Sequence, residues 1–254
     1  LYVFGGVTQE YEYMNDLYYF DLRTLQWHVV DQLVTTNSPD AALPGRRAGH
    51  SMVINATAQD DVNPNSNVHA TEFYIFGGRG KGFGKDVFSY NDVWRFSVVN
   101  NQWTCLTINN QRRANSQQWP VTPAGRQYAA TTIVDSRIWV FGGVDPGSST
   151  VFNDVWAFHV HSRQWTKYSE NSGALTGYSP PPLYFAHLIP ITRTVDVPND
   201  EPQSSPTAAQ VNDTGISIHP DAPIGFYVYG GLGAGGACAP ILNNQSQFVT
   251  KTVF

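Results

Sequence analysis

The chain has 254 residues, of which 41% are hydrophobic and 13% aromatic, so it is long enough to bury a core of its own. Its formal net charge is −5 and it contains no long block of Lys or Arg, so we expect neither nucleic acid nor an anionic membrane surface as a partner. No apolar run approaches the roughly 18 residues that a bilayer-spanning helix needs, so we expect no membrane insertion by this segment.

A strand-like segment that ends in Gly-Gly occurs four times along the chain. It is filled with aromatic and β-branched residues, which favour strands. In the first copy Leu1 and Val3 point to one side while Tyr2 and Phe4 point to the other, so both faces of the strand must be covered. The four copies are LYVFGG at 1–6, FYIFGG at 73–78, IWVFGG at 138–143 and FYVYGG at 226–231.

An Asn-Asp pair and then a Gln-Trp pair follow three of these diglycines, and Trp stands 11 residues after Asp each time. A segment with Pro and Arg precedes the diglycine, from Pro44 and from Pro123, with a degraded copy from Pro180. The unit therefore reads as strand a, strand b with the diglycine, strand c with Asp and strand d with Trp. The residues concerned are Asp16, Asp92 and Asp154, and Trp27, Trp103 and Trp165.

This ordered set of residues closely resembles the kelch repeat, and the resemblance covers nearly the whole chain apart from insertions. It implies an all-β fold, the kelch-type β-propeller, with one four-stranded blade per repeat around a central channel. We expect about four blades, the first and last incomplete, as a segment of a larger ring. A degraded strand c from Asn243 to Phe248 further leads us to expect that the parent chain continues past Phe254 into a strand d.

The expected blades cover approximately residues 1–30, 44–106, 123–168 and 180–254. Their diglycines are farther apart than the roughly 50 residues of a typical kelch repeat, so insertions separate some strands. The largest, 192–223, is rich in Pro, Asp, Asn, Ser and Thr, which predicts a flexible surface insertion. If strands alternate in direction, this insertion and a shorter one at about 55–72 leave from the face opposite to the b-to-c loops.

Each motif residue has a structural interpretation that we favour. Diglycines let the chain leave strand b in conformations that a side chain forbids. The aspartates are predicted to accept hydrogen bonds from turn backbone, and the tryptophans to fill the space between blades. Because these residues recur once per blade, they do not form the single convergence of different groups that a catalytic site needs.

Two other patterns have a possible chemical role that we do not favour. Gly231, Gly233 and Gly236 match a dinucleotide fingerprint, but no helical periodicity follows to hold a pyrophosphate. Some kelch-like propellers are enzymes, including copper oxidases that resemble galactose oxidase, whose site needs a cross-linked Tyr and Cys. Cys105 falls in strand d and Cys238 in a glycine-rich loop. We therefore predict no enzyme and no cofactor, with a carbohydrate-active or oxidase-type enzyme as the alternative.

Four histidines are candidate ligands. His159 and His161 lie two apart at a predicted strand end and point to one face, but no third metal ligand is close in sequence. His50 and His187 align on strand a, which lines the channel of a propeller. Exposed strand positions for the first pair and ordinary packing for the second are the interpretations we favour, so no metal site is predicted.

The basic residues point to a binding face. Five of 15 Lys and Arg residues fall in the b-to-c loop of the second blade or in the d-to-a connection after it, together with two aromatic residues. Strand alternation puts both segments on one face, where arginines pair well with carboxylates. We predict a protein-interaction scaffold whose partner is a protein or peptide, with this face binding an acidic peptide or another anionic ligand; a solvated loop surface and a purely structural module are the alternatives. The predicted binding residues are Arg79, Lys81, Phe83, Lys85, Arg112, Arg113 and Trp119.

Overall fold

A computed structural model describes residues 1–34, 42–55, 71–81, 87–107, 121–168, 180–192 and 223–233. These residues form antiparallel sheets and contain no α-helix, so none of their segments is a helix able to cross a membrane. The all-β, kelch-type prediction is confirmed. The described strands do not close into a ring.

Four of the sheets correspond to blades, whose strands follow the order a, b, c, d. Blade 1 contains β1 (Tyr2–Val7), β2 (Tyr13–Asp21) and β3 (Gln26–Val29), which are strands b, c and d. Blade 2 contains β5 (Ser51–Asn55), β6 (Glu72–Phe76), β9 (Val93–Ser97) and β10 (Gln102–Cys105). Blade 3 contains β11 (Ala130–Val134), β12 (Arg137–Phe141), β15 (Val155–His159) and β16 (Gln164–Lys167). Blade 4 contains β17 (Leu183–Thr192) and β18 (Pro223–Gly233), which are strands a and b.

Three shorter pairings complete the sheets. β4 (Leu33–Val34) follows blade 1 and pairs in parallel with β10, so the outer edge of blade 2 gains a fifth strand. Two hairpins extend from the b-to-c loops: β7 (Arg79–Lys81) with β8 (Val87–Ser89), and β13 (Val144–Asp145) with β14 (Thr150–Val151).

The core lies between blades, because each sheet packs its two faces on its neighbours. Phe4 of blade 1 contacts Trp103 of blade 2 with ring centroids 5.0 Å apart. Phe76, on the other face of blade 2, contacts Trp165 of blade 3 at 5.3 Å. Strand b of blade 2 is consequently buried on both sides, as its sequence predicts.

The three motif tryptophans have different environments. Trp103 is fully buried and donates from Nε1 to Gln32 Oε1 at 2.7 Å, and Trp165 packs in the interface between blades 2 and 3. Trp27 is 55% exposed. Its side of blade 1, shared by the exposed Val3, faces away from blade 2. The prediction that tryptophans fill spaces between blades is confirmed for Trp103 and Trp165, and it stays a prediction for Trp27, against which no described blade lies.

Candidate binding face

The diglycines connect neighbouring blades through their backbone. Every one of the eight glycines has a positive φ, as predicted. A side chain on Gly77 would lie 2.5 Å from the Arg126 carbonyl, and one on Gly5 would lie 2.7 Å from the Arg47 carbonyl. In the first three pairs the second glycine donates its N–H to that same carbonyl, Gly78 to Arg126 at 2.8 Å for example. Only glycine allows this approach of two backbones.

The Arg47 side chain holds three segments of blade 2 together. It is fully buried, and its guanidinium makes a bidentate pair with Asp92, at 2.6 Å from Nη1 and 2.9 Å from Nη2. Nη1 also donates to the Gly77 carbonyl at 3.0 Å, and the group lies 3.8 Å over the Tyr90 ring. Strand a, the diglycine and strand c of blade 2 therefore meet at one cation.

Blade 3 repeats this arrangement with Arg126. Its two Nη atoms lie 2.5 Å and 3.0 Å from the Asp154 carboxylate, and Trp156 Nε1 donates to the same carboxylate at 2.7 Å. Burial by itself raises the pKa of Asp154, but the bonds from Arg126 and Trp156 outweigh it and lower the pKa. We call Arg47 and Arg126 the arginine pins.

The pins correct the prediction made for the aspartates. Asp92 and Asp154 accept from arginine and tryptophan side chains, whereas the prediction named only backbone donors, of which Asp154 also has one. The sequence did contain a signal for the pins, since each Pro-Arg segment carries an arginine upstream of a diglycine. Arg47 lies 30 residues before Gly77, and Arg126 lies 16 residues before Gly142. In blade 4 Leu183 occupies the pin position: its backbone bonds to Gly143 as the pins' backbones do, without a guanidinium.

The loops after the diglycines and the segments that lead into strand a lie on one face, which we call the diglycine face. Ala48 and Arg79 exchange two backbone hydrogen bonds, at 2.9 Å and 2.8 Å, and Gln127 and Val144 exchange two at 2.9 Å. These bonds join a lead-in segment to a b-to-c loop in blades 2 and 3. The c-to-d turns stand at the other ends of the strands, on the opposite face.

Two of the seven predicted binding residues lie in described segments. Lys81 is exposed and pairs with Glu12 at 3.4 Å. The Arg79 guanidinium lies 5.9 Å over the Tyr13 ring, and its Nε is buried with no hydrogen-bond partner among the described residues. Outside the described residues lie Phe83, Lys85, Arg112, Arg113 and Trp119.

The sequence prediction missed Arg46, which belongs to the same surface. Arg46 is exposed, and its Nη1 donates to the Tyr13 carbonyl at 3.4 Å. It directly precedes a pin, and the equivalent position before Arg126 is glycine, so the comparison of the two repeats singles it out. We call Arg46, Arg79 and Lys81 the basic rim.

An aromatic pair occupies the same face at blades 3 and 4. Gly49, Tyr128 and Phe185 each stand two residues after the pin position and have φ values of 67°, 56° and 58°. Tyr128 N donates to Gly49 O at 2.7 Å, and Phe185 N donates to Tyr128 O at 3.0 Å. The rings of Tyr128 and Phe185 stack with centroids 3.9 Å apart, and Phe185 is 49% exposed. A bulky residue in this conformation costs about 1–3 kcal/mol, which glycine avoids.

The histidines form no metal site in the described part of the chain. His159 Nδ1 accepts from the Ser162 N–H at 3.1 Å, which leaves its proton on Nε2, and no group of three or more metal-ligating side chains occurs among the residues described. His50 lies edge-on to Phe4 at 5.4 Å. Burial, with the nearby Arg47 cation, lowers the pKa of His50 to about 4. His187 is exposed and lies opposite Tyr229, the register position that Ser51 holds opposite Phe76, so the predicted alignment of His187 with His50 is wrong by one residue.

The glycines of the dinucleotide-like pattern and the two cysteines lie partly in the described residues, where they belong to strands of the blades. Gly231 has a φ of 99° and is the second glycine of a diglycine; Gly233 ends β18. The Cys105 thiol in β10 lies 3.9 Å from the Val93 carbonyl. Gly236 and Cys238 are outside the described residues.

Comparison with known proteins supports one family. A profile of the KLHDC2/KLHL20/DRC7 Kelch-repeats domain matches residues 1–193. The flagellar outer-arm dynein alpha chain of Chlamydomonas reinhardtii is 28% identical over 72% of this chain and 3% of its own length. An N-(sulfonatooxy)prop-2-enimidothioate sulfolyase of Thlaspi arvense is 26% identical over 66% of this chain and 40% of its own. Human Kelch domain-containing protein 10 is 25% identical over 76% and 35%. The chain thus spans less than half the length of each of these relatives.

Proposed function

This chain belongs to the kelch-repeat family, and on that premise we propose that it is a non-enzymatic protein-interaction module that binds an acidic segment of a partner through the diglycine face. Kelch repeats generally bind proteins, which supports the general role. The acidic partner and the choice of face are our inference from the charges and contacts of the described residues.

The basic rim is the observation that carries the proposal. Arg46 and Arg79 both lie against Tyr13, and neither has a carboxylate within salt-bridge distance among the described residues. Lys81 has the exposed Glu12 as a partner, but such surface pairs contribute only about 0–1 kcal/mol and exchange easily. A partner carboxylate would gain two guanidinium groups at little cost in displaced contacts.

The pins support the proposal because they hold this rim in place. Arg79 is joined by two backbone bonds to Ala48, which directly follows the pin Arg47. The Arg79 backbone is therefore held beside a buried, bidentate ion pair before a partner arrives. A preorganised surface loses less conformational entropy on binding, which favours affinity.

The enzyme alternative has in its favour one relative named as a sulfolyase, at 26% identity. A lyase would need a group that exchanges a proton with substrate. His50, near the diglycines, is a poor candidate because its pKa is lowered to about 4 and its Nδ1 is buried without a partner. No described contact favours a second function over partner binding.

A peptide-display selection tests the proposal. We expect random twelve-residue peptides selected on the protein to be enriched in Asp and Glu and to bind more weakly as salt rises from 50 to 500 mM. R79E/K81E should weaken binding of the selected peptides at least tenfold. The matched control R23E/R163E reverses two charges in c-to-d turns on the opposite face and should leave affinity unchanged. Selected peptides that bind R79E/K81E normally, or without salt dependence, would overturn the proposal.

A further inference from the structure

We propose that the partner segment carries, besides its acidic residue, an uncharged apolar residue that docks on the aromatic pair Tyr128 and Phe185. This inference rests on the proposed function and specifies the partner's chemistry at the same face. The acidic residue would contact the basic rim at blades 1 and 2, and the apolar residue would contact the rings at blades 3 and 4.

The fold does not require aromatic side chains at positions 128 and 185. Gly49 makes the same backbone connection as Tyr128 and Phe185, with the same left-handed conformation and no side chain. Glycine would therefore satisfy the fold at all three positions without strain. Two positions instead hold large rings in a conformation unfavourable to them, and residues of this kind concentrate at ligand-binding sites.

The two rings stack on each other on the diglycine face. Tyr128 covers the Cα of Gly49, since a side chain there would meet its ring carbon at 2.7 Å. Phe185 stacks on the other side of Tyr128 and contacts Tyr184 at 5.3 Å, yet half of its own surface stays exposed. A partner side chain placed on Phe185 would complete a stack that begins over Gly49.

The basic rim and the aromatic pair are continuous. Arg79 is bonded to Ala48, the residue directly before Gly49, and the Tyr128 ring lies on Gly49. One extended segment on the diglycine face would therefore meet the cations first and the rings next. This continuity is why we assign both contacts to one partner.

The chemistry of the rings selects the type of residue. The rings that contact Phe185 in the described part of the chain are Tyr128 and Tyr184, which carry no carboxylate to pair with a cation. Transfer of an unpaired charge onto such a surface is unfavourable, whereas apolar contact with aromatic rings dominates the energy of many interfaces. An aliphatic, proline or aromatic side chain fits these conditions.

Substitutions in the aromatic pair separate binding from folding. F185N keeps a residue that tolerates positive φ and removes the ring, and Y128G does the same with glycine. We expect both to lower affinity for the selected acidic peptides at least tenfold while the melting temperature changes by no more than about 2 °C. F185Y should retain affinity within threefold. L25G, which relieves another exposed residue of positive φ in a c-to-d turn, should leave affinity unchanged and should not lower the melting temperature.

An alanine and lysine scan of one selected peptide completes the test. We expect one uncharged apolar position whose replacement by Ala or Lys costs at least tenfold on the wild-type protein and less than twofold on F185N. If binding depends on R79E/K81E but not on F185N, or if Lys at that position strengthens binding, this inference is overturned while the proposed function stands. If R79E/K81E does not weaken binding, the proposed function itself is overturned.

Discussion

Arg46 and Arg47 are neighbours in the chain but belong to two different regions of the molecule. Arg47 is fully buried, holds Asp92 in a bidentate pair and joins three strands of its blade. Arg46 is exposed on the diglycine face and reaches one backbone carbonyl. The comparison shows that the repeat retains the pin position in blades 2 and 3 and varies the residue beside it. The pins stabilise the fold, whereas the exposed residues of the rim are available to bind a partner.

Removal of a pin should produce the largest effect. R126M leaves the Asp154 carboxylate, whose side chain is 12% exposed, without its cation, and breaking such a buried pair costs about 3–5 kcal/mol. R47M should cost less, since the Asp92 side chain is 21% exposed and better hydrated. Urea unfolding at pH 7 measures both. R46M is the control and should change the unfolding free energy by less than about 0.5 kcal/mol. Equal effects of R46M and R126M would remove the distinction between pin and rim.

A pH dependence of intermediate size should come from His50. Its folded-state pKa is lowered from 6.5 to about 4, so the unfolded chain binds more protons between these values. The stabilisation is therefore present above pH 6.5 and is lost as pH falls towards 4, with a slope of at most about 1.4 kcal/mol per pH unit. Unfolding free energies between pH 7 and 4 measure this.

The variant H50F should remove most of that slope, because the ring already packs edge-on to Phe4 and phenylalanine has no titratable group. H187F changes an exposed histidine on strand a and should keep the wild-type slope. A wild-type slope that persists in H50F would assign the acid sensitivity to other groups.

The smallest effect on stability, with a visible effect on binding, should come from Glu12. E12Q removes an exposed ion pair with Lys81 and should change the unfolding free energy by less than about 1 kcal/mol. It also frees one cation of the rim, so affinity for acidic peptides should rise two- to threefold at low salt. The control E10Q removes another carboxylate of the same loop. The difference between the two variants separates the effect of the Glu12–Lys81 pair from the effect of losing one negative charge. Weaker binding by E12Q would contradict the rim's role.

The periodic features of the fold were predictable from the sequence, and the contacts between distant repeats were not. Diglycine positions and the Asp-to-Trp spacing indicate strands b, c and d directly, because each lies within about 30 residues of the others. The partner of Asp92 is 45 residues earlier in the chain, and aspartate has local turn partners that are equally reasonable from sequence alone.

The candidate site was predicted only in outline. The clustering of basic residues in two loops predicted Arg79 and Lys81 but not Arg46. Arg46 lies in the Pro-Arg segment of the repeat, and the sequence does not show that only its neighbour Arg47 is buried. Tyr128 and Phe185 give no sequence signal of positive φ, since tyrosine and phenylalanine rarely adopt it. Only the backbone ladder from Gly49 reveals that the three positions are equivalent.

Hydrogen exchange with a saturating selected peptide tests most directly whether the diglycine face is the binding face. We predict slower amide exchange at 46–50, 79–81, 126–128 and 183–185, and no change in the c-to-d turns at 21–25, 98–101 and 160–163. Protection confined to those turns, with the diglycine face unchanged, would contradict it.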